Sequence, residues 1–116
     1  MVPRLTEVIT DLREARAVLI DKELAGSLAE RSPANGGGPD GRRFAGAALA
    51  FSTGLKQLER WGVILRDLEA GICDLMGERA GEPVCLCWKL GEARIEFWHR
   101  PDDGFAGRQP LDDLIR

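Results

Sequence analysis

The sequence has no long apolar run, no excess of basic residues and no even set of cysteines. Its longest uninterrupted apolar stretches are only a few residues, and the segment from Met1 to Thr6 lacks the apolar run of a secretion signal. We therefore expect neither a membrane-spanning helix nor export. The 16 basic and 19 acidic residues are spread along the chain and give a formal charge of -3, which argues against a nucleic-acid-binding surface. These absences predict a cytoplasmic protein that binds neither membranes nor nucleic acids.

The cysteine content is low, with three residues in a chain that has no export signal. An odd number of cysteines in this setting favours reduced thiols over a disulfide framework. The length of 116 residues and the hydrophobic content of 44% are typical of one domain with one core. We therefore treat residues 1–116 as a single domain.

Apolar residues recur with helical spacing at the start of the chain. Leu5, Val8, Leu12 and Ala15 form one stripe, which predicts a helix that begins near residue 5. The stripe continues with a rotated face, so the first helix is expected to reach about residue 30.

A second helix is predicted over residues 42–61, where Phe44, Phe51 and Leu58 share one face and Gly62 provides a typical helix end. Residues 32–41 between the helices are rich in glycine and proline and are predicted to form a flexible loop. This loop has no Gly-Lys-Ser/Thr sequence, so we interpret it as a connector and not as a phosphate-binding loop. The helices are expected to form an antiparallel hairpin that needs a further layer to cover its apolar face.

The sequence from residue 63 to residue 99 alternates short apolar runs with turn residues, which predicts a four-stranded antiparallel meander. The segment 77–83 is interpreted as the break between the second and third strands, and residues 100–116 as a C-terminal loop. The predicted fold class is α+β, a two-helix hairpin followed by a small sheet. The expected strands are Val63–Arg66, Ile72–Met76, Val84–Leu90 and Arg94–His99.

The register of the last predicted hairpin decides which side chains share a face. A two-residue turn at Gly91 and Glu92 pairs Trp88 with Ile95, Leu86 with Phe97 and Val84 with His99. This face is expected to be the core. The opposite face then carries Cys85, Cys87 and Trp98, and it is expected to be mostly exposed to solvent.

Three cysteines and one histidine raise the possibility of a zinc site at Cys73, Cys85, Cys87 and His99, because thiolates and imidazole suit this metal. The predicted register places His99 on the face opposite Cys85 and Cys87, and no Cys-x-x-Cys pair is present. We therefore expect no metal ion and no cofactor. The cysteines are interpreted as small buried hydrophobic residues.

His99 is the strongest candidate for catalysis, because Asp102 and Asp103 follow it closely in the chain. Asp67 and Asp74 lie near the first predicted hairpin. In a four-stranded meander, the turn after the first strand and the end of the fourth strand lie at the same end of the sheet. A His–Asp pair there supports acid–base chemistry. The simpler interpretation, which we favour, is that His99 caps the sheet edge by hydrogen bonding while the acids are solvated turn residues.

The C-terminal segment contains two residues with a predicted structural or binding role. Phe105, between two glycines, is expected to tuck into the core. Arg108 is expected to bind an anion or to pair with Asp102 or Asp103, and the pairing is the simpler interpretation.

Several sequence blocks resemble the prokaryotic family catalogued as domain of unknown function 2203. The resemblance runs from about residue 1 to residue 111 and implies a helical hairpin followed by a small sheet, without implying an activity. The aromatic-Thr-x-x-Glu-Ala segment with which members often begin is absent here, so the first helix is expected to lack a cap. The blocks that carry the resemblance are Asp67–Gly71, Leu86–Trp88, Leu90–Glu92, Trp98–His99, Gly104–Arg108 and Pro110.

The resemblance also directs attention to the polar and aromatic positions within its motifs. Four of these positions are candidates for ligand binding, and three overlap the catalytic candidates. The candidates for ligand binding are Trp88, Glu92, Trp98 and Arg108. The positions that are also catalytic candidates are Asp67, Asp74 and His99.

Two functions remain open from the sequence. The first is a non-enzymatic interaction or oligomerisation domain that pairs with another copy or with a protein partner through its amphipathic helices. The alternative is a small-ligand or metal-assisted hydrolase-like site centred on His99 and the nearby carboxylates. The alternative requires His99 to lie within a hydrogen bond, or one bridging water, of a carboxylate.

Overall fold

The computed structural model describes residues 1–21, 23, 26 and 38–111, and in these residues two helices are followed by a five-stranded antiparallel sheet. The strands follow one another in the sheet in chain order. This arrangement confirms the predicted α+β hairpin-and-sheet architecture and adds a fifth strand. The elements are α1 (Val2–Leu19), α2 (Gly38–Arg60), β1 (Val63–Asp67), β2 (Ile72–Arg79), β3 (Glu82–Lys89), β4 (Phe97–His99) and β5 (Gln109–Pro110), with a 3-10 helix at Phe105–Gly107.

Helix α1 begins at Val2, so the predicted start near residue 5 is too late, and no side-chain hydrogen bond is present at its N-terminal cap. It ends at Leu19, so the predicted continuous helix to residue 30 is interrupted at Ile20 and Asp21. Glu23 and Gly26 are again helical, and the other residues of the predicted extension lie outside the described part of the chain.

Helix α2 begins at Gly38, so the predicted loop is wrong for residues 38–41. Pro39 is compatible with this early start because the first turn of a helix does not need its missing N–H group. Residues 32–37 of the predicted loop lie outside the described residues.

The two helices approach each other closely at Gly54 of α2. A Cβ atom placed there would lie 2.6 Å from a terminal methyl carbon of Leu12, so only glycine leaves room for the side chain from α1. The buried face of α1, Leu5 to Leu12, then meets Leu58 of α2 and the sheet residues Cys73 and Trp88 in one apolar core. Burial of these side chains is the main source of stability for such a layered fold.

The hairpin of β2 and β3 is longer than the sequence predicts. Its turn consists of Ala80 and Gly81, whose φ angles are 49° and 83°, as in the two-residue turns that match the twist of paired strands. Residues 77–79 and 82–83 are paired strand residues. The interpretation of the whole segment 77–83 as a break is therefore wrong.

The pairing of β3 with β4 differs from the predicted register by one residue. Cys85 lies opposite His99, and Cys87 lies opposite Phe97. A shift of one residue moves every side chain of a strand to the other face. The prediction that His99 and the two cysteines occupy opposite faces is therefore wrong.

The physical reason for the shift is the connection between β3 and β4. A two-residue turn does not join the strands, because Glu92 folds back on the end of β3. Its carboxylate accepts the Lys89 backbone N–H at 2.7 Å, and its backbone carbonyl accepts the Trp88 indole N–H at 3.0 Å. Because of these contacts, β4 begins only at Phe97.

The face of the sheet that carries Cys85 and Cys87 is covered by the C-terminal segment. Both thiols are fully buried, which corrects the expectation of a mostly exposed face. Arg108 spans this face, with its guanidinium 4.0 Å from the centre of the Phe97 ring and 4.5 Å from that of Phe105. Phe105 itself is 39% exposed, so the prediction that it enters the core is wrong.

Candidate functional site

Asp74 of β2 and His99 of β4 meet on the face of the sheet that carries Cys85 and Cys87, which we call the second face. Strand β3 lies between the two residues. The distance between His99 Nε2 and Asp74 Oδ1 is 2.9 Å. His99 is only 3% exposed and Asp74 only 1%, so this is a buried contact between two ionisable groups. The hydrolase-like alternative requires a carboxylate within hydrogen-bonding distance of His99, and this requirement is met.

Each partner of this pair makes a second hydrogen bond. Arg66 Nε donates to Asp74 Oδ2 at 2.8 Å, and His99 Nδ1 lies 2.7 Å from the backbone carbonyl oxygen of Arg100. Because a carbonyl oxygen only accepts hydrogen bonds, Nδ1 carries a proton. Both Asp74 oxygens and both ring nitrogens of His99 are therefore engaged.

The electrostatic setting favours a charged His99. Burial, the largest single influence, lowers its pKa, but hydrogen bonds to the Arg100 carbonyl and to Asp74 outweigh it, and the net pKa is raised above the ordinary value. The hydrogen bond to Asp74 likewise raises the pKa of Arg66. In this arrangement His99 is a proton donor to Asp74 and is not a free base.

All five catalytic candidates line one cavity of about 360 Å³ at this end of the sheet. Of the five, His99 and Asp74 are in direct contact, whereas Asp67 accepts the Ala70 backbone N–H and shapes the turn after β1. Asp102 and Asp103 are exposed on the loop after β4. The complete lining is Arg66, Asp67, Ile72, Asp74, His99, Pro101, Asp102, Asp103, Gly104 and Phe105.

The four candidates for ligand binding lie outside the lining of this cavity. Trp88 is fully buried in the core, and Trp98 is also buried. Arg108 donates to Glu92 at 2.6 Å and to the Cys87 backbone carbonyl. The predicted pairing of Arg108 with Asp102 or Asp103 is therefore wrong, and Arg108 and Glu92 together fasten the C-terminal segment to the β3–β4 connection.

Cys87 is the residue near the site that the predicted register separated from His99, because that register placed His99 on the core face. Its sulfur, a ring nitrogen of His99 and a carboxylate oxygen of Asp74 all lie within 4.8 Å of one another. Burial raises the pKa of the Cys87 thiol to about 11, although the nearby Arg108 opposes this shift. The correct register of β3 and β4 is the signal that places Cys87 beside the pair, and it depends on the Glu92 contacts.

A second candidate surface is an apolar groove of about 680 Å³ between α1 and α2. Leu49 on its edge is 69% exposed, although it is a large aliphatic side chain. Charges of opposite sign mark the two walls. The groove is lined by Val8, Asp11, Glu14, Ala15 and Val18 of α1 and by Arg43, Gly46, Ala47, Leu49, Ala50, Thr53, Gly54 and Gln57 of α2.

Comparison with known proteins gives a family without an assigned activity. A family model described as an uncharacterized conserved protein, DUF2203, matches residues 1–111. No curated protein and no solved structure matches the chain significantly. Within the residues that the structure describes, no helix is both long enough and apolar enough to cross a membrane.

Proposed function

The chain belongs to the DUF2203 family of uncharacterized conserved proteins, and we propose that it is an interaction domain that pairs with a second copy through the α1–α2 groove. The observation that carries this proposal is the open apolar groove with the exposed Leu49 at its edge. A contiguous apolar surface of this kind is stabilised when another protein covers it.

The charges around the groove favour a second copy as the occupant. Asp11 and Glu14 lie on the α1 wall and Arg43 on the α2 wall, all three exposed. In a pair whose two-fold axis runs along the groove, each wall meets the opposite wall of the other copy, so Arg43 of one copy faces the acids of the other.

The direct test is sedimentation equilibrium of the purified chain at several concentrations. We expect a monomer–dimer equilibrium that Leu49→Glu shifts toward monomer, because a carboxylate would be buried in the apolar contact. The matched control is Leu55→Glu, on the same helix but outside the groove lining. A wild-type chain that stays monomeric, or a Leu49→Glu variant that associates like wild type, would refute the proposal.

The proposed location is the cytoplasm. It is supported by the three cysteines, which are all free and buried, because a reducing compartment keeps thiols in this state.

A second candidate function is a small-ligand or metal-assisted hydrolase-like activity in the cavity beside His99. It is supported by the 2.9 Å contact between His99 and Asp74 and by the acids that line the same cavity. In the metal-free form of this activity, His99 is the proton donor and Asp74 holds its ring in place. We expect His99→Gln to abolish hydrolysis of an ester or phosphoester substrate that Leu49→Glu still cleaves. Equal rates for wild type and His99→Gln would refute this function.

A further inference from the structure

We infer that Asp74, Cys87 and His99 form a binding site for a soft divalent cation, and that zinc is the metal that this set of donors favours. The inference is independent of self-association through the helices. It deepens the metal-assisted form of the hydrolase-like candidate function, in which His99 and Asp74 hold the ion, because it names the metal and its ligands.

The sheet brings the three donors together from three adjacent strands. Asp74 of β2 is the direct cross-strand partner of Cys87 on β3, and His99 of β4 is the partner of Cys85, two residues away on the same face. The donor atoms lie within 4.8 Å of one another. Ligand atoms of a tetrahedral zinc are about 3.3–3.5 Å apart, as follows from Zn–N, Zn–O and Zn–S bonds of about 2.0–2.3 Å. Small side-chain rotations are therefore enough to enclose the ion.

The hydrogen bonds that typically support metal ligands are already in place around two of the donors. Metal-binding histidines usually donate their second ring N–H to a carbonyl or carboxylate, and ligating carboxylates usually accept a further hydrogen bond. His99 Nδ1 is bonded to the Arg100 carbonyl, and Asp74 Oδ2 accepts from Arg66. These contacts leave His99 Nε2 and Asp74 Oδ1 as the atoms that face the proposed ion.

Binding exchanges protons for the metal and involves no change of oxidation state. Three coordinate bonds form, from Nε2, Oδ1 and the Cys87 sulfur. Two protons pass to solvent, one from the Cys87 thiol and one from the hydrogen bond between His99 and Asp74. The ion then occupies the place of the buried proton that now joins Asp74 and His99.

The coordination number points to a site with an open position. Catalytic zinc sites have three protein ligands and keep the fourth position for water or substrate. Asp74 and His99 line the cavity of about 360 Å³, whereas Cys87 does not, so the open position faces the cavity and the thiolate lies at its closed side. Asp67, Asp102 and Asp103 line the same cavity and attract a cation toward its entrance.

Cys85 offers a closely matched control. It lies on the same strand and face as Cys87 and is also fully buried. Its sulfur instead contacts the Met76 sulfur at 3.8 Å, and it is not part of the cluster of donor atoms that Asp74, Cys87 and His99 form.

The first experiment is a titration of the full chain with cobalt(II), which occupies zinc sites and reports thiolate ligation by its absorption. We expect one equivalent to bind with a thiolate-to-cobalt charge-transfer band. Cys87→Ser should lose this band and Cys85→Ser should retain it. A wild-type chain without the band, or a Cys87→Ser variant that keeps it, would overturn the proposal.

The second experiment uses only the wild-type chain, so its result does not depend on whether a variant folds. X-ray absorption of the zinc-loaded protein should show one sulfur at about 2.3 Å together with nitrogen and oxygen ligands at about 2.0–2.2 Å. A shell without sulfur, or with two or more sulfurs, would overturn the assignment. Hydrolysis assays report on the candidate activity and sedimentation reports on self-association, so the failure of either is distinguishable from the failure of the metal site.

Discussion

At the scale of single residues, Asp74 determines whether the second face of the sheet is electrostatically balanced. It is 1% exposed and accepts hydrogen bonds from both Arg66 and His99. A buried carboxylate of this kind offsets the charge of its partners, and its removal leaves the buried His99 without compensation in a medium of low polarity, whereas Arg66 is half-exposed. The pair is therefore far more sensitive to the loss of one member than a surface ion pair such as that of Arg16 with Glu69.

We predict that Asp74→Ala lowers the free energy of unfolding by about 3–5 kcal/mol, the typical cost of breaking a buried ion pair. Urea denaturation followed by circular dichroism measures this change. Asp67→Ala is the control, because Asp67 lines the same cavity but is exposed and makes one turn hydrogen bond, so we expect a loss of at most about 1 kcal/mol. Equal losses in the two variants would contradict the importance of the buried pair.

At the scale of elements, the pairing of α1 with α2 depends on the absence of a side chain at Gly54. We predict that Gly54→Ala destabilises the protein by about 1–3 kcal/mol, because the new methyl group would collide with the buried Leu12. Gly46→Ala on the same helix has nothing within 4 Å of its added carbon, so it should be neutral or stabilise by up to about 1 kcal/mol through helix propensity. Thermal denaturation of both variants is the measurement, and a stable Gly54→Ala would show that Leu12 has room to move.

The β2–β3 hairpin contains a residue whose backbone conformation suits a different side chain. Ala80 has a φ of 49°, a conformation that costs about 1–2 kcal/mol for most residues and less for asparagine. We predict that Ala80→Asn, which creates an Asn-Gly turn with Gly81, raises stability by about 1 kcal/mol in urea denaturation. The same substitution at the exposed loop residue Ala93, whose φ is not positive, should have little effect. A gain at both positions would indicate a cause other than turn geometry.

The elements differ in how far local sequence determines them. The helical stripe of Leu5 and Leu12 is a pattern within one segment, and it predicts both the helix and its buried face. The register of β4 depends instead on contacts of Glu92 with Lys89 and Trp88, which a two-residue turn signal at Gly91 does not reveal. The sequence therefore predicts that His99 and Asp74 lie at one end of the sheet and that Cys87 lies on the face opposite Trp88, but it wrongly places His99 on the core face and so separates it from Cys87.

At the scale of the whole molecule, the two candidate surfaces are built on different layers. The groove lies on the helical hairpin, whereas the Asp74–His99 cavity lies on the face of the sheet beneath the C-terminal segment. The core of Leu5, Leu12 and Trp88 separates them as a packed layer. Substitutions in the groove should therefore leave the cavity intact, which allows self-association and metal binding to be tested separately.

The charge pattern of the groove gives a test of self-association that does not rely on removing apolar surface. We predict that Arg43→Glu weakens the dimer, because a carboxylate then faces Asp11 and Glu14 of the other copy across the two-fold axis. The double variant Arg43→Glu with Glu14→Arg should recover part of the affinity, since one pair of opposite charges is restored in the exchanged order. Sedimentation at low and high salt measures both effects, and the difference between the variants should diminish as salt screens the charges. If the double variant associates no better than Arg43→Glu alone, these two walls do not face each other, and a pair with its two-fold axis along the groove is excluded.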